Sequence, residues 1–181
     1  MTAEEFYHLP EPEHGGKMEL VRGKVVVDMP VSGKHGERQG IIFTAFFSFL
    51  SPTRLGRAAV ETGFIVQRSP FTVLAPDVSV TPLDRLPNGE LPEDGFVEGP
   101  PGLAVEVVSP GDSEARVMAK VGEYLDAGVD RVWLVQARTR TVTVFRADGV
   151  IQQLTAGETL TSEHAGFAEK GFELRVDDIF R

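Results

Sequence analysis

GLAVEVVSPGDSEARVMAK, residues 102–120, reads as a strand, a turn and the start of a helix in immediate succession. Side chains alternate between the two faces of a strand. Leu103, Val105 and Val107 therefore share one face, and Ala104, Glu106 and Val108 the other. Ser109-Pro110-Gly111 closes the strand. A helix is predicted from about Asp112 to Ala127, with Gly128 placed to end it. Val117, Val121, Tyr124 and Leu125 form its apolar stripe, and Lys120 falls at the edge of that stripe. DRVWLVQ, residues 130–136, follows as a buried strand. This strand, helix, strand unit has the length and pattern of a right-handed parallel crossover, which points to an α/β architecture.

Some thirty residues upstream, LAPDVSV (74–80) is another apolar strand with one acid, Asp77. Proline is confined to strand edges, starts and bulges, so Pro76 predicts that the ladder begins or kinks just before Asp77. Val78 and Val80 share one face, Asp77 and Ser79 the other. If this strand pairs with 102–108, Asp77 and Glu106 converge. An ionised carboxylate in an apolar sheet costs several kcal/mol unless it is paired, hydrogen-bonded or metal-bound. A divalent cation between the two acids removes both that cost and their mutual repulsion. Mg²⁺ binds through one or two carboxylates plus water and phosphate oxygens. A lysine beside it could orient water or stabilise a pentacovalent phosphate. The residues leave plainer readings open. Asp77 could be a turn acid, Glu106 could pair with an arginine, and Lys120 could snorkel into water.

Working outward, Thr2 and Glu5 have capping-box spacing for a short helix to about His8. KMELVRGKVVVDM (17–29) reads as two strands about Arg22-Gly23, with Glu19 in the first as an acid of an exposed face. His35 lies in the lead-in or first turn of a long apolar helix predicted over Glu37–Leu50, which Ser51-Pro52 stops. Residues 57–67 read as one strand bent at Gly63, and 72–81 as the next. Residues 82–101 are a long proline-rich loop. Thr141–Arg146 and Gly149–Thr155 form a hairpin, and the tail adds short strands and a final helical turn at VDDIF. The expected fold is a single domain over 1–181, with a mixed central sheet flanked by helices and additional N- and C-terminal strands.

There is no cysteine, so thiolate metal sites and disulfides are excluded. No apolar run reaches membrane-spanning length, and the acidic N-terminus lacks the basic-then-apolar pattern of a secretory signal, so the expected location is cytoplasmic. The net charge of −9 opposes a sequence-independent grip on nucleic acid. It leaves room for a nucleic-acid enzyme whose carboxylates bind a metal, since the ion inverts the local field.

Pro76-Asp77 followed by Val105-Glu106-Val107 resembles the PD…(D/E)xK pattern of the restriction-endonuclease-like superfamily. The closer resemblance is to the Uma-type family of restriction endonucleases. It rests on MELVRGKVV, His35 before the long helix, APDVSV, LAVEVVSP, Lys120, YLDAGVDRVWLV and TVTVFRADG, in that order. The resemblance implies a restriction-endonuclease-like core and Mg²⁺-dependent (or Mn²⁺-dependent) cleavage of DNA phosphodiesters, with a homodimer addressing two strands. It makes Asp77 and Glu106 metal ligands and places Glu19 where an N-terminal acid can join them. The motif's usual lysine position is Val108 here, so Lys120 on the following helix takes that role, with Tyr124 one turn further on. His35 matches a family position to which no role is attached. DSEARVMAK lacks the basic run that many relatives carry there. The alternative implied is a catalytically weak or inactive nuclease fold acting as a metal- or partner-binding module.

Overall fold

A computed structural model describes residues 1–181. The chain runs α1 (Ala3–Tyr7), β1 (Met18–Val21), β2 (Lys24–Val27), α2 (Gly33–Thr53), β3 (Gly56–Val60), β4 (Phe64–Arg68), β5 (Phe71–Leu74) and β6 (Val78–Pro82). It continues β7 (Val97–Glu98), β8 (Leu103–Val108), α3 (Glu114–Asp126), β9 (Arg131–Gln136), β10 (Thr141–Arg146) and β11 (Ile151–Leu154). The tail is β12 (Thr159–Thr161), α4 (Ser162–Ala165), β13 (Glu173–Arg175) and α5 (Val176–Ile179).

The strands form a six-stranded mixed sheet, β11-β10-β9-β8-β6-β3, a five-stranded sheet, β2-β1-β5-β4-β7, and the pair β12-β13. β8 and β9 are parallel and joined through α3, as the crossover pattern predicts. Alternation along β8 sorts the helices onto opposite faces. Leu103, Val105 and Val107 join the large core with Ile42, Phe46 and Leu50 of α2. Ala104 joins the smaller core with Val121 and Tyr124 of α3. Phe46 anchors the large core, stacked on Phe172 at 4.8 Å and tilted against Trp133 at 5.2 Å. Burying a side chain of that size contributes about 2–3 kcal/mol.

Four boundaries differ from expectation. α2 begins at Gly33, because the Ser32 hydroxyl accepts from the His35 N–H and caps the helix four residues earlier. Pro52 does not stop it. Proline in the last turn removes only the bond to the Ser48 carbonyl, and the helix ends at Arg54 in the left-handed region. Residues 57–67 and 72–81 each split into two strands that lie in different sheets, broken at Glu61–Gly63 and at Ala75–Asp77. No helix is long and apolar enough to cross a membrane.

Candidate active site

Asp77 stands where the chain leaves the smaller sheet and enters the larger one. Pro76 has no N–H to donate, so β5 ends before it and β6 starts after it. The antiparallel ladder of β6 and β8 begins at Val78↔Val105, so Asp77 stands just ahead of it, and Asp77 and Glu106 line the same cavity. The Val107 N–H donates to Asp77 Oδ2 at 2.7 Å and fixes that carboxylate.

α3 packs over Glu106 and brings two more groups. Lys120 Nζ lies 2.9 Å from Glu106 Oε1 and 3.0 Å from Glu19 Oε1. The Tyr124 hydroxyl donates to Glu106 Oε1 at 2.6 Å. Burial pushes the Lys120 pKa down, but Glu106 and Glu19 overcome this and hold it well above the ordinary lysine value. Burial and the same two acids push the Tyr124 hydroxyl upward, so it stays protonated as a donor. Glu106 is raised by burial, pulled back by Lys120 and Lys17, and raised again by Asp77 and Glu19, with a net rise. Lys120 and Tyr124 both meet Oε1, which leaves Oε2 without a protein partner.

The sequence reading missed Lys17, although 17 and 19 have same-face strand parity. Lys17 Nζ donates to Asp77 Oδ1 at 2.8 Å. Burial would raise the Asp77 pKa, but the adjacent His35 imidazole and the Lys17 ammonium hold it well below the usual carboxylate range. Burial pushes Lys17 down, and Glu106, Asp77 and Glu19 raise it against Lys120. Gly16 delivers Lys17 to this position. Its φ is +105°, and a Cβ there would sit 2.0 Å from the Asp28 carbonyl oxygen.

Glu19 is buried in β1, and its Oε1 also accepts the Ala75 N–H at 2.7 Å. That oxygen is committed to Ala75 and Lys120, and no three acid or imidazole groups converge with metal-ligand spacing. Glu19 thus lies against Lys120.

His35, in the first turn of α2, is buried. Its Nδ1 is 3.3 Å from Ser109 Oγ. Its Nε2 lies 3.3 Å from Asp77 Oδ2 but is badly angled and makes no hydrogen bond. Gln39, one turn on, was also missed. Its amide donates to the Asp77 carbonyl at 2.9 Å and to Glu61 Oε1 at 3.3 Å, tying the two sheet-crossing points together. Glu61 holds a left-handed φ of 47° there.

Lys17, His35, Asp77 and Glu106 line a cavity of about 740 Å³. Asp28, Glu61, Asp77, Glu106 and Asp112 face it, against Lys17 and Arg116. Asp28 and Arg116 pair across its rim. Asp77 and Glu106 are the two residues of this lining that would hold a divalent cation. Both are hard oxygen donors on one cavity, Glu106 Oε2 is unpartnered, and the buried His35 Nε2 is orphaned alongside.

A crystal structure of a putative nuclease belonging to DUF820 from Anabaena variabilis superposes with a TM-score of 0.77 at 26% identity, covering 99% of this chain and 97% of that one. The restriction-endonuclease-like core expected from the sequence is the fold they share. No curated protein matches the chain. A family model described as "Putative restriction endonuclease" matches residues 3–177, nearly the whole length that builds the two sheets and the acidic cavity. On that match, the chain belongs to the Uma2 family.

Proposed function

We propose that this chain is a metal-dependent endonuclease that hydrolyses DNA phosphodiester bonds, with Asp77 and Glu106 holding a Mg²⁺ or Mn²⁺ ion. The observation that carries the reading is that both carboxylates line one acidic cavity, with Glu106 next to a lysine clamped by two acids. The family description and the nuclease description of the Anabaena protein support it. When bound, the ion would act as a Lewis acid on a phosphoryl oxygen and lower the pKa of a bound water.

The chain's own residues have separable tasks. Lys17 keeps Asp77 ionised and in place. Tyr124 fixes the orientation of Glu106 through Oε1 and leaves Oε2 facing the cavity. Lys120 is held as an ammonium by Glu19 and Glu106, so it acts as a fixed positive charge for a phosphorane and not as a proton acceptor. Glu19 positions Lys120. The five cavity acids repel a phosphodiester until a cation is present, which couples substrate entry to metal binding.

A second reading has one observation in its favour. Lys17 and Lys120 already neutralise the buried acids, so the fold is satisfied as a binding module without turnover. Incubating supercoiled and single-stranded DNA with Mn²⁺ or Mg²⁺ separates the two. The endonuclease reading expects nicking that EDTA abolishes and that Asp77→Asn removes. Intact DNA under conditions where the metal demonstrably binds selects the binding module.

A further inference from the structure

We infer that β2 is the surface through which two copies of this chain associate, by antiparallel pairing of β2 with itself about Val26. This goes beyond the nuclease reading and does not depend on it. β2 is an edge of the five-stranded sheet, paired on one side only with β1. The Asp28 N–H bonds to the Lys17 carbonyl, and antiparallel ladders alternate, so the N–H and C=O groups of Val25 and Val27 point to the free edge. Val25 is 36% and Val27 49% exposed, and the row continues through Met29 at 80% and Val31 at 48%. A hydrophobic free edge is an invitation to pairing that isolated proteins usually block.

The five residues Lys24-Val25-Val26-Val27-Asp28 are self-complementary. Pairing about Val26 sets Val25 opposite Val27 of the second copy, and these are the residues whose backbone groups point outward. It sets Lys24 opposite Asp28, a base against an acid, twice over. Val26 meets Val26 on the two-fold axis. Arg116 fixes the Asp28 carboxylate on the α3 side of the sheet, the same face as Lys24. Among the other edges, β13 also sets an acid against a base, Glu173 against Arg175 about Leu174, but it is three residues long and Leu174 is buried. Neither Gly56–Val60 of β3 nor Ile151–Leu154 of β11 sets an acid against a base.

The two-fold axis of such a pair is perpendicular to the sheet. It joins two five-stranded sheets into one of ten strands and leaves both cavities opening on the same side. Val27, Met29 and Val31 line the cavity, so the second copy abuts each cavity mouth. A short strand pair buries less than a standard interface of ~800 Å² per partner, so a dissociation constant of about 1–100 µM is expected.

Sedimentation of the full chain from about 1 to 100 µM reads this directly. The mass is expected to rise from monomer toward dimer. Val25→Lys with Val27→Lys should abolish the rise while leaving the thermal melt in place. Because the chain has no cysteine, Val26→Cys should give a disulfide-linked dimer under mild oxidation, and Val60→Cys on β3 should not. A wild type that stays monomeric across the range overturns the inference. So does a dimer that survives the double lysine variant, or cross-linking through residue 60 as readily as through residue 26.

Discussion

Asp77 accepts hydrogen bonds from Lys17 and the Val107 amide, and the His35 ring approaches it to 3.3 Å. Breaking a buried ion pair leaves an uncompensated charge and costs ~3–5 kcal/mol. Lys17 retains some solvent contact, so Lys17→Met is expected at the low end of that range in urea unfolding. Saturating Mn²⁺ should restore part of the loss, because a cation then again faces Asp77. A variant equally unstable with and without Mn²⁺ would contradict the assignment. Lys120→Gln should lower the cleavage rate by roughly 10²–10³-fold without weakening Mn²⁺ affinity in calorimetry, since the group acts on the transition state. A parallel loss of metal affinity would make Lys120 structural. Glu106 and Lys120 were legible in the sequence because strand parity and helix spacing each placed them on a defined face. Lys17 was not, because a lysine ahead of a strand is ordinarily solvated, and only the turn at Gly16 directs this one inward.

At the scale of elements, the β1–β2 hairpin is the device that carries Lys17 and Glu19 to the large sheet. Its entry depends on Gly16. Gly16→Ala meets both the positive φ and the Asp28 carbonyl, and a loss of about 2 kcal/mol or more is expected, with weakened metal binding. Unchanged stability would show that the hairpin entry can shift. α4 offers a pH-dependent test remote from the cavity. His164 Nδ1 accepts the Thr161 N–H at 2.9 Å within a capping box, so the ring is needed neutral. Burial, against Glu163 and Glu158, lowers its pKa below the ordinary 6.5. The contribution is therefore complete above about 6.5 and is lost as the pH falls through the lowered value. His164→Gln should flatten the fall in melting temperature over that acidic interval, and an identical slope in the variant would exclude the cap as its source. The pattern at Gly63 and Pro76 showed that the strands break but not that each break is a change of sheet. That distinction depends on which strands pair across long stretches of sequence. The helix start at Gly33 was missed because Ser32 among glycines looks like loop until its hydroxyl is seen capping.

For the whole molecule, a net charge of −9 and an acidic cavity require that any grip on DNA be conditional. DNA retardation in gels is expected to be absent in EDTA and to appear with Ca²⁺, which fills oxygen sites without supporting the same chemistry. Retardation independent of any cation would contradict this coupling. The mixed sheet and the parallel crossover were present as period-two alternation and a strand, helix, strand order in residues 74–136. The lysine-filled arrangement around the acids is set by the N-terminal hairpin, which is remote in sequence and carries no periodic signal of its own. The most direct measurement is the anomalous difference density of a crystal soaked in Mn²⁺. A peak within coordination distance of both Asp77 and Glu106, with Lys120 still on Glu19, is the predicted result. The account is contradicted if the peak lies elsewhere, or if no peak forms at saturating Mn²⁺ and both acids stay paired with their lysines.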